Sequence, residues 1–88
     1  MTLPDEEIAA AIFALLDART SGSTICPSDA ARALAADETA WRALMPEVRR
    51  VAAKLAAAGS LRVTSRGNEV DALAVHGPIR LGKPASDA

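Results

Sequence analysis

Aromatic residues, cysteine and histidine are scarce in this chain of 88 residues. It has one tryptophan, one phenylalanine, no tyrosine, one cysteine and one histidine. A single cysteine excludes an internal disulfide, and one cysteine with one histidine falls short of a zinc ligand set. Phe13 and Trp41 both lie on apolar helix faces, so they offer no platform on which single-stranded bases could stack. The composition therefore argues against a disulfide scaffold, a metal protein and a single-strand binder.

Long apolar runs and targeting patterns are also lacking. No stretch reaches the roughly 20 apolar residues of a membrane span, and residues 1–7 lack the basic and apolar regions of a secretory signal. No glycine-rich phosphate loop follows a strand, so no nucleotide cofactor is expected. The sequence predicts a soluble, cytoplasmic protein without a cofactor.

Neither sign of charge dominates, because 10 basic residues face 11 acidic ones for a net charge of −1. The distribution is uneven: residues 1–45 carry three arginines and seven acids, whereas residues 46–88 carry seven basic residues and four acids. This polarity is well below that of a strongly basic nucleic-acid binder. Its position matters more than its size, since the basic half contains the longest helix pattern.

Alanine supplies much of the apolar content, with 21 alanines in a chain that is 50% hydrophobic. A chain of this size and composition forms one domain with a small core, without a large ligand cavity. We expect this single domain over residues 1–82 and a disordered tail at residues 83–88.

Two helices are predicted in the first half of the chain. The first begins near Pro4 and Asp5 and ends near Arg19, with acids in its first turn suiting the helix dipole. The second begins at Pro27, and residues 24–26 before it could add a short third strand to a later hairpin.

A third helix spans residues 41–58, after a predicted N-cap turn at residues 37–39 and before a stop at Gly59. Its inward stripe consists of Trp41, Leu44, Met45, Val48, Val51, Ala52 and Leu55. Pro46 interrupts this pattern without a phase jump. It predicts either a kink or a short helix next to a longer one that begins at Pro46.

A hairpin pattern follows, with strands at residues 61–65 and 70–75. The loop is either Arg66-Gly67, which pairs Val63 with Val70 and Arg62 with Asp71, or Gly67-Asn68, which suits the backbone preferences better. Residues 77–81 predict an extended tail with two apolar anchors, Ile79 and Leu81. The order of elements predicts an α+β winged helix-turn-helix fold: three helices and a small antiparallel sheet with a C-terminal β-hairpin wing.

Several short blocks together resemble a small bacterial family classed as a domain of unknown function. The blocks are residues 24–32, residues 41–45, Val48-Arg49, Gly59 and residues 77–81, and the resemblance runs from about Ile8 to Leu81. It implies a winged-helix-like fold, and it implies neither an activity nor functional residues.

Basic residues on the third helix and the hairpin are the candidate contacts to DNA phosphates. They are Arg42, Arg49, Arg50, Lys54, Arg62 and Arg66. The alternative is a solvated surface whose arginines pair with nearby acids. The outer crest of the helix carries Pro46, Ala53 and Ala57, which have few groups for reading base edges.

Cys26 is the one residue that invites an enzymatic interpretation, because a thiol at a helix N-terminus can be reactive. His76 is the only histidine that could serve as its base, and no third orienting residue is evident, so we expect no enzyme. The leading hypothesis is a module that binds duplex DNA weakly through phosphates. The alternative is a protein-interaction module in which the hairpin edge or the tail around Ile79 and Leu81 docks a partner or a second copy.

Overall fold

Three helices and a small antiparallel sheet follow one another along the chain. The computed structural model describes residues 3–19, 22–75 and 77–84. Its elements are α1 (Asp5–Asp17), α2 (Pro27–Leu34), α3 (Glu38–Ala57), β1 (Arg62–Ser65), β2 (Asn68–Glu69) and β3 (Arg80–Gly82). The sheet order is β2-β1-β3, and both pairings are antiparallel. This α+β architecture agrees with the predicted fold class and is consistent with a winged-helix-like arrangement.

The first two helices begin where the sequence predicts. Pro4 precedes α1, and the first turn of this helix carries three acids. The helix ends at Asp17, two residues before the predicted end at Arg19. α2 begins at Pro27, and the backbone N–H of Cys26 donates to Asp29 Oδ2 at 3.0 Å. The first backbone N–H groups of a helix have no acceptor within the helix, and this bond supplies one for Cys26.

The third helix begins at Glu38, three residues before the predicted start at Trp41. Asp37 caps it by accepting the backbone N–H of Ala40 at 3.1 Å. It continues through Pro46 as one α-helix, so of the two alternatives that Pro46 left open, the one with two separate helices is wrong. The apolar stripe runs past the proline in a single phase, and its burial offsets the hydrogen bond that Pro46 cannot donate.

α3 ends just before Gly59, as the sequence predicted, and its C-terminal end is a Schellman motif. Gly59 has a φ of +80°, its N–H donates to the carbonyl of Ala56 at 3.0 Å, and the N–H of Ser60 donates to that of Leu55 at 2.9 Å. These two bonds satisfy carbonyls that the helix itself leaves unpaired.

The hairpin adopts the register that residue preferences disfavoured. Ser65 pairs with Asn68, so the loop is Arg66-Gly67, and the alternative of a Gly67-Asn68 loop is wrong. Arg66 and Gly67 have φ values of +53° and +84°, as a type I′ turn requires. Val63 faces Val70 as that register predicts, since the N–H of Val70 donates to the carbonyl of Val63 at 3.0 Å.

The predicted strand at residues 70–75 is absent from the described residues, because β2 ends at Glu69. Asp71 replaces it with a turn: its side chain accepts the N–H of Leu73 at 2.9 Å, and its carbonyl accepts that of Ala74 at 3.0 Å. An aspartate that bonds its own backbone two residues on favours a turn over a strand. The expected pairing of Arg62 with Asp71 is therefore wrong, and Arg62 lies 3.7 Å from Glu69 instead.

The C-terminal tail forms an edge strand of the three-stranded sheet, and one residue of the segment before α2 bridges to its outer side. β3 pairs with β1 on one side, and on the other Leu81 exchanges two backbone hydrogen bonds with Ile25 at 2.9 and 2.7 Å. The segment before α2 makes only this isolated bridge, beside β3, and does not form the short strand that the sequence suggested next to the hairpin. The expected disordered tail begins at Lys83, whose Nζ lies 3.0 Å from Asp17 Oδ1. Residues 85–88 lie outside the described ranges.

One apolar core joins the three helices to the sheet. The inner stripe of α3 lies against it as predicted, with Val48, Val51 and Ala52 buried and the other four members partly buried. The buried side chains of the whole core are Ile8, Ile12, Leu16, Ile25, Ala30, Ala31, Val48, Val51, Ala52, Leu61, Val63, Ala72, Ile79 and Leu81. Ile79 and Leu81 therefore belong to the interior of the folded chain.

Candidate nucleic-acid interface

The outer crest of α3 is apolar, as the helical wheel predicted. Pro46 and Ala57 are exposed, and Ala53 is half-buried. None of these side chains carries a hydrogen-bonding group that could distinguish bases. Any charged contact from this helix must come from its flanks.

One flank of α3 is tied to the first turn of α1. Asp5 accepts hydrogen bonds from Arg50 at 3.0 and 2.6 Å and from Lys54 Nζ at 3.0 Å. Arg50 Nε also donates to Glu47 at 3.0 Å. Two cations and two carboxylates make this flank electrically neutral, so Arg50 and Lys54 add less positive potential than the sequence alone indicates.

The ion pairs of this flank shift the pKa values of Asp5 and Arg50. The hydrogen bond from Arg50, with a smaller contribution from Lys54, holds the pKa of Asp5 well below its ordinary range. The bond to Asp5, followed by that to Glu47, raises the pKa of Arg50 further above its ordinary value. Each charge stabilises the charged form of the other, so both remain ionised across the physiological range.

The opposite flank is anchored to the chain that follows β2. Arg49 donates to the carbonyls of Val75 at 3.0 Å and Gly77 at 2.8 Å, with a longer contact of 3.5 Å to Ala72. A guanidinium has five N–H donors in a fixed fork, and here the fork points at backbone carbonyls. Arg49 therefore holds the segment that follows β2, here called the wing segment and marked by Ala72, Val75 and Gly77, against α3.

Arg42 lies at the exposed N-terminal end of α3. Its Nε donates to Glu38 at 2.8 Å, in an ion pair whose side chains are 65% and 69% exposed. Its guanidinium carbon also lies 5.0 Å from the centre of the Trp41 ring. Exposed pairs of this kind contribute little to stability, so Arg42 can exchange Glu38 for another anion.

The two cations of the hairpin differ in their partners. Arg62 lies 3.7 Å from Glu69 Oε1, a distance too long for a good hydrogen bond. Arg66 is exposed at the loop, and within residues 3–19, 22–75 and 77–84 it forms neither an ion pair nor a side-chain hydrogen bond. Among the six predicted contacts, the arginine at the tip of the hairpin has the least intramolecular support.

The thiol of Cys26 lies in a polar corner beside β3. Arg80 donates to Cys26 Sγ at 3.2 Å, to Thr24 Oγ1 at 2.8 Å and to the carbonyl of Thr24 at 2.9 Å. Arg80 thus ties the tail to the segment before α2. His76, the predicted partner of the thiol, lies outside the described residues.

Within the part of the chain that the structure describes, no three histidine, cysteine or acidic residues are grouped so that they could hold a metal ion. No helix of that part is both long and apolar enough to cross a bilayer.

An apolar patch lies beside the Arg49 flank. Leu73 is 62% exposed, and it borders a groove of about 350 Å³. The other lining residues are Met45, Pro46, Arg49, Ala72 and Val75. Leu73 is the large apolar side chain that is most exposed among the described residues.

Sequence reasoning missed the roles of two residues. It placed Asp5 at the α1 N-terminus as a partner of the helix dipole, and it assigned Arg49 to phosphates. In the structure Asp5 instead pairs with Arg50, and Arg49 binds the carbonyls of the segment after β2. Each contact joins residues more than twenty positions apart, and no local pattern in the sequence marks it. Only the packing of α1 and of the wing segment against α3 brings these groups together.

The fold and this surface define a small winged-helix-like α+β domain in which the outer crest of α3 is apolar and most of the cations beside it have partners within the chain. The chain matches the sequence model of a family described as "Protein of unknown function (DUF3253)" over residues 5–84, and it belongs to that family. No curated protein matches it.

Proposed function

We propose that this chain is a non-enzymatic module that binds duplex DNA through the phosphate backbone with little sequence preference. The exposed crest of α3 and the hairpin tip are the contact elements, in the manner of winged helices whose third helix meets a groove while the wing reaches the neighbouring backbone. The apolar crest explains why base reading would be weak.

The conformation of Arg66 is the observation that carries the proposal. Its φ of +53° is one that a non-glycine residue adopts at a cost of about 1 kcal/mol. Asparagine or glycine would fill this position without that cost. An exposed arginine that breaks a local preference, with no ion pair in the described ranges, indicates a role outside the fold.

The remaining cations contribute unequally to this interface. Arg42 and Lys54 are each 65% exposed in their ion pairs, so phosphates can replace their carboxylates at low cost. Arg50 and Arg62 are less exposed, at 38% and 44% of their side-chain surface. Arg49 acts mainly on the wing, and we assign it no phosphate. We expect on the order of three phosphate contacts in all, and a log-log salt slope of about −3.

The test is a fluorescence-anisotropy titration of labelled duplexes of varied sequence, first at low salt and then at rising salt. Arg66→Ala should weaken binding on every sequence alike and make the salt slope smaller by about one. Salt-independent binding, or no binding at low salt, would overturn the proposal.

Asp5 supplies a second arm with a matched control. Asp5→Asn removes the negative charge that Arg50 and Lys54 share, so it should increase affinity for duplexes. Asp17→Asn removes the same charge from the other end of α1, about 18 Å away along a helix that rises 1.5 Å per residue. An equal increase in both variants would mean that net charge alone acts, and that Arg50 and Lys54 are not contacts.

A second candidate function rests on Leu73. Leu73 is exposed and also lines the groove, so an exposed apolar side chain and a concave surface lie side by side. Two copies related by a twofold axis can insert these leucines reciprocally. We propose a homodimer through this patch as the alternative to DNA binding.

Light scattering after size exclusion tests this alternative. The chain should elute as a dimer at high concentration, and Leu73→Asp should elute as a monomer with unchanged circular dichroism. A monomeric wild-type chain at several hundred micromolar, or a Leu73→Asp variant that still dimerises, contradicts the homodimer.

A further inference from the structure

Two arginines from different helices meet at the ring of Trp41. The guanidinium carbon of Arg32, on α2, lies 4.7 Å from the ring centre, and that of Arg42, on α3, lies 5.0 Å from it. Arg42 follows the tryptophan directly in sequence, whereas Arg32 reaches it only because α2 packs against α3. The corner between these helices therefore holds two cations on one aromatic side chain.

Charge at this corner is only partly balanced. Glu38 pairs with Arg42, while exposed Arg32 forms no ion pair or side-chain hydrogen bond within residues 3–19, 22–75 and 77–84. The ring attracts both guanidinium groups through its quadrupole but carries no net charge. Two arginines and one glutamate leave a net positive charge, with most of the guanidinium N–H groups available.

The donors at this corner suit a phosphate. Guanidinium groups bind phosphate oxygens through paired N–H bonds, and stacking on an aromatic ring limits the orientations of the fork. In helix-turn-helix complexes, the first helix of the pair crosses the DNA backbone while the second enters the groove. α2 and α3 occupy those two positions, so their shared corner is suitably placed for a backbone contact.

We propose that Arg32 and Arg42, seated on Trp41, form a phosphate-binding site for the backbone of duplex DNA. This inference rests on the proposed function and adds Arg32 and Trp41 to its contact surface. The indole serves as the support for the two forks, and Glu38 is the anion that the DNA phosphate displaces from Arg42.

Trp41 provides a direct readout, because it is the only tryptophan in a chain without tyrosine. Titration of the full chain with unlabelled duplex at low salt should change its fluorescence. The midpoint should equal that of the anisotropy titration. Arg32→Ala and Arg42→Ala should each weaken binding several-fold and make the log-log salt slope smaller by about one. Arg32→Lys should retain the slope, since it keeps the charge.

Controls separate this site from the wider proposal. Arg19→Ala removes one exposed arginine at the end of α1 and should leave the salt slope unchanged, and urea midpoints should verify that every variant is folded. If Arg66→Ala weakens binding while Arg32→Ala and Arg42→Ala bind like the wild type, the site is wrong and the proposed function stands. If the wild-type chain binds no duplex, both fail. Weakening by Arg19→Ala equal to that by Arg32→Ala would also overturn the site.

Discussion

Arg50 donates hydrogen bonds to both carboxylate oxygens of Asp5, at 3.0 and 2.6 Å, across 45 positions of sequence. This bidentate pair fixes the first turn of α1 against the middle of α3. It also neutralises a cation that the sequence assigned to DNA, so one contact bears on both the stability and the charge of the candidate interface.

The Asp5 pair predicts a dependence of stability on pH. Hydrogen bonding to Arg50 lowers the pKa of Asp5 in the folded chain below its unfolded value near 3.8. The stabilisation is therefore complete above that unfolded value and is lost progressively as the pH falls below it. Urea denaturation should show Asp5→Asn less stable than the wild type at pH 7, with the difference shrinking below about pH 4. A constant difference down to pH 2 would contradict this linkage.

Arg49 predicts a second loss of stability. Arg49→Met keeps much of the apolar stem but removes the donors to the carbonyls of Val75 and Gly77. Bonds from a charged donor contribute about 2 kcal/mol, so we expect a loss of this order in the free energy of unfolding. Hydrogen exchange should show faster exchange of the amides of Ala74 and Val75. Unchanged exchange there would argue against an anchoring role.

The hairpin loop predicts opposite effects on stability and binding. Arg66→Asn relieves the positive φ and should stabilise the chain by roughly 0.5–1 kcal/mol, while it weakens DNA binding. Gly67→Ala should cost about 1 kcal/mol, since an added Cβ there meets no atom within 4 Å and the cost is conformational alone. Thermal unfolding measures both changes. Destabilisation by Arg66→Asn would remove the argument that Arg66 is retained for function.

Pro46 predicts a gain in stability. Pro46→Ala restores a backbone donor in the interior of α3 at an exposed position. Interior proline costs about 3 kcal/mol relative to alanine in a regular helix, so the free energy of unfolding should increase by at least about 1 kcal/mol. Chemical denaturation measures this change. A loss of stability would mean that the proline shapes α3 in a way the core requires.

Leu73 and Leu81 predict a contrast between two similar substitutions. Leu73→Asp changes an exposed side chain and should alter stability by less than about 0.5 kcal/mol. Leu81→Asp places a carboxylate where the side chain is fully buried, and it should unfold the chain. Circular dichroism distinguishes the two. A folded Leu81→Asp variant would contradict the burial of Leu81 in the core.

Local patterns predicted the elements that depend on neighbours in sequence. Pro4, Pro27 and Gly59 mark helix ends because their backbone constraints act within one turn. The hairpin register was harder to predict from the sequence, since turn preferences disfavour arginine at a positive φ. The pairing of β1 with both neighbouring strands imposes the observed loop, and Asp71 ends β2 by bonding its own backbone.

The sequence by itself determined the three helices, the apolar stripe of α3 and the order of elements, because periodicity and capping are local properties. Tertiary structure alone decided which charges remain available. It placed Asp5 on Arg50 and Lys54, directed Arg49 to backbone carbonyls, and brought Arg32 to Trp41. Each of these contacts joins residues that are distant in sequence, so their partners follow from packing and not from any motif.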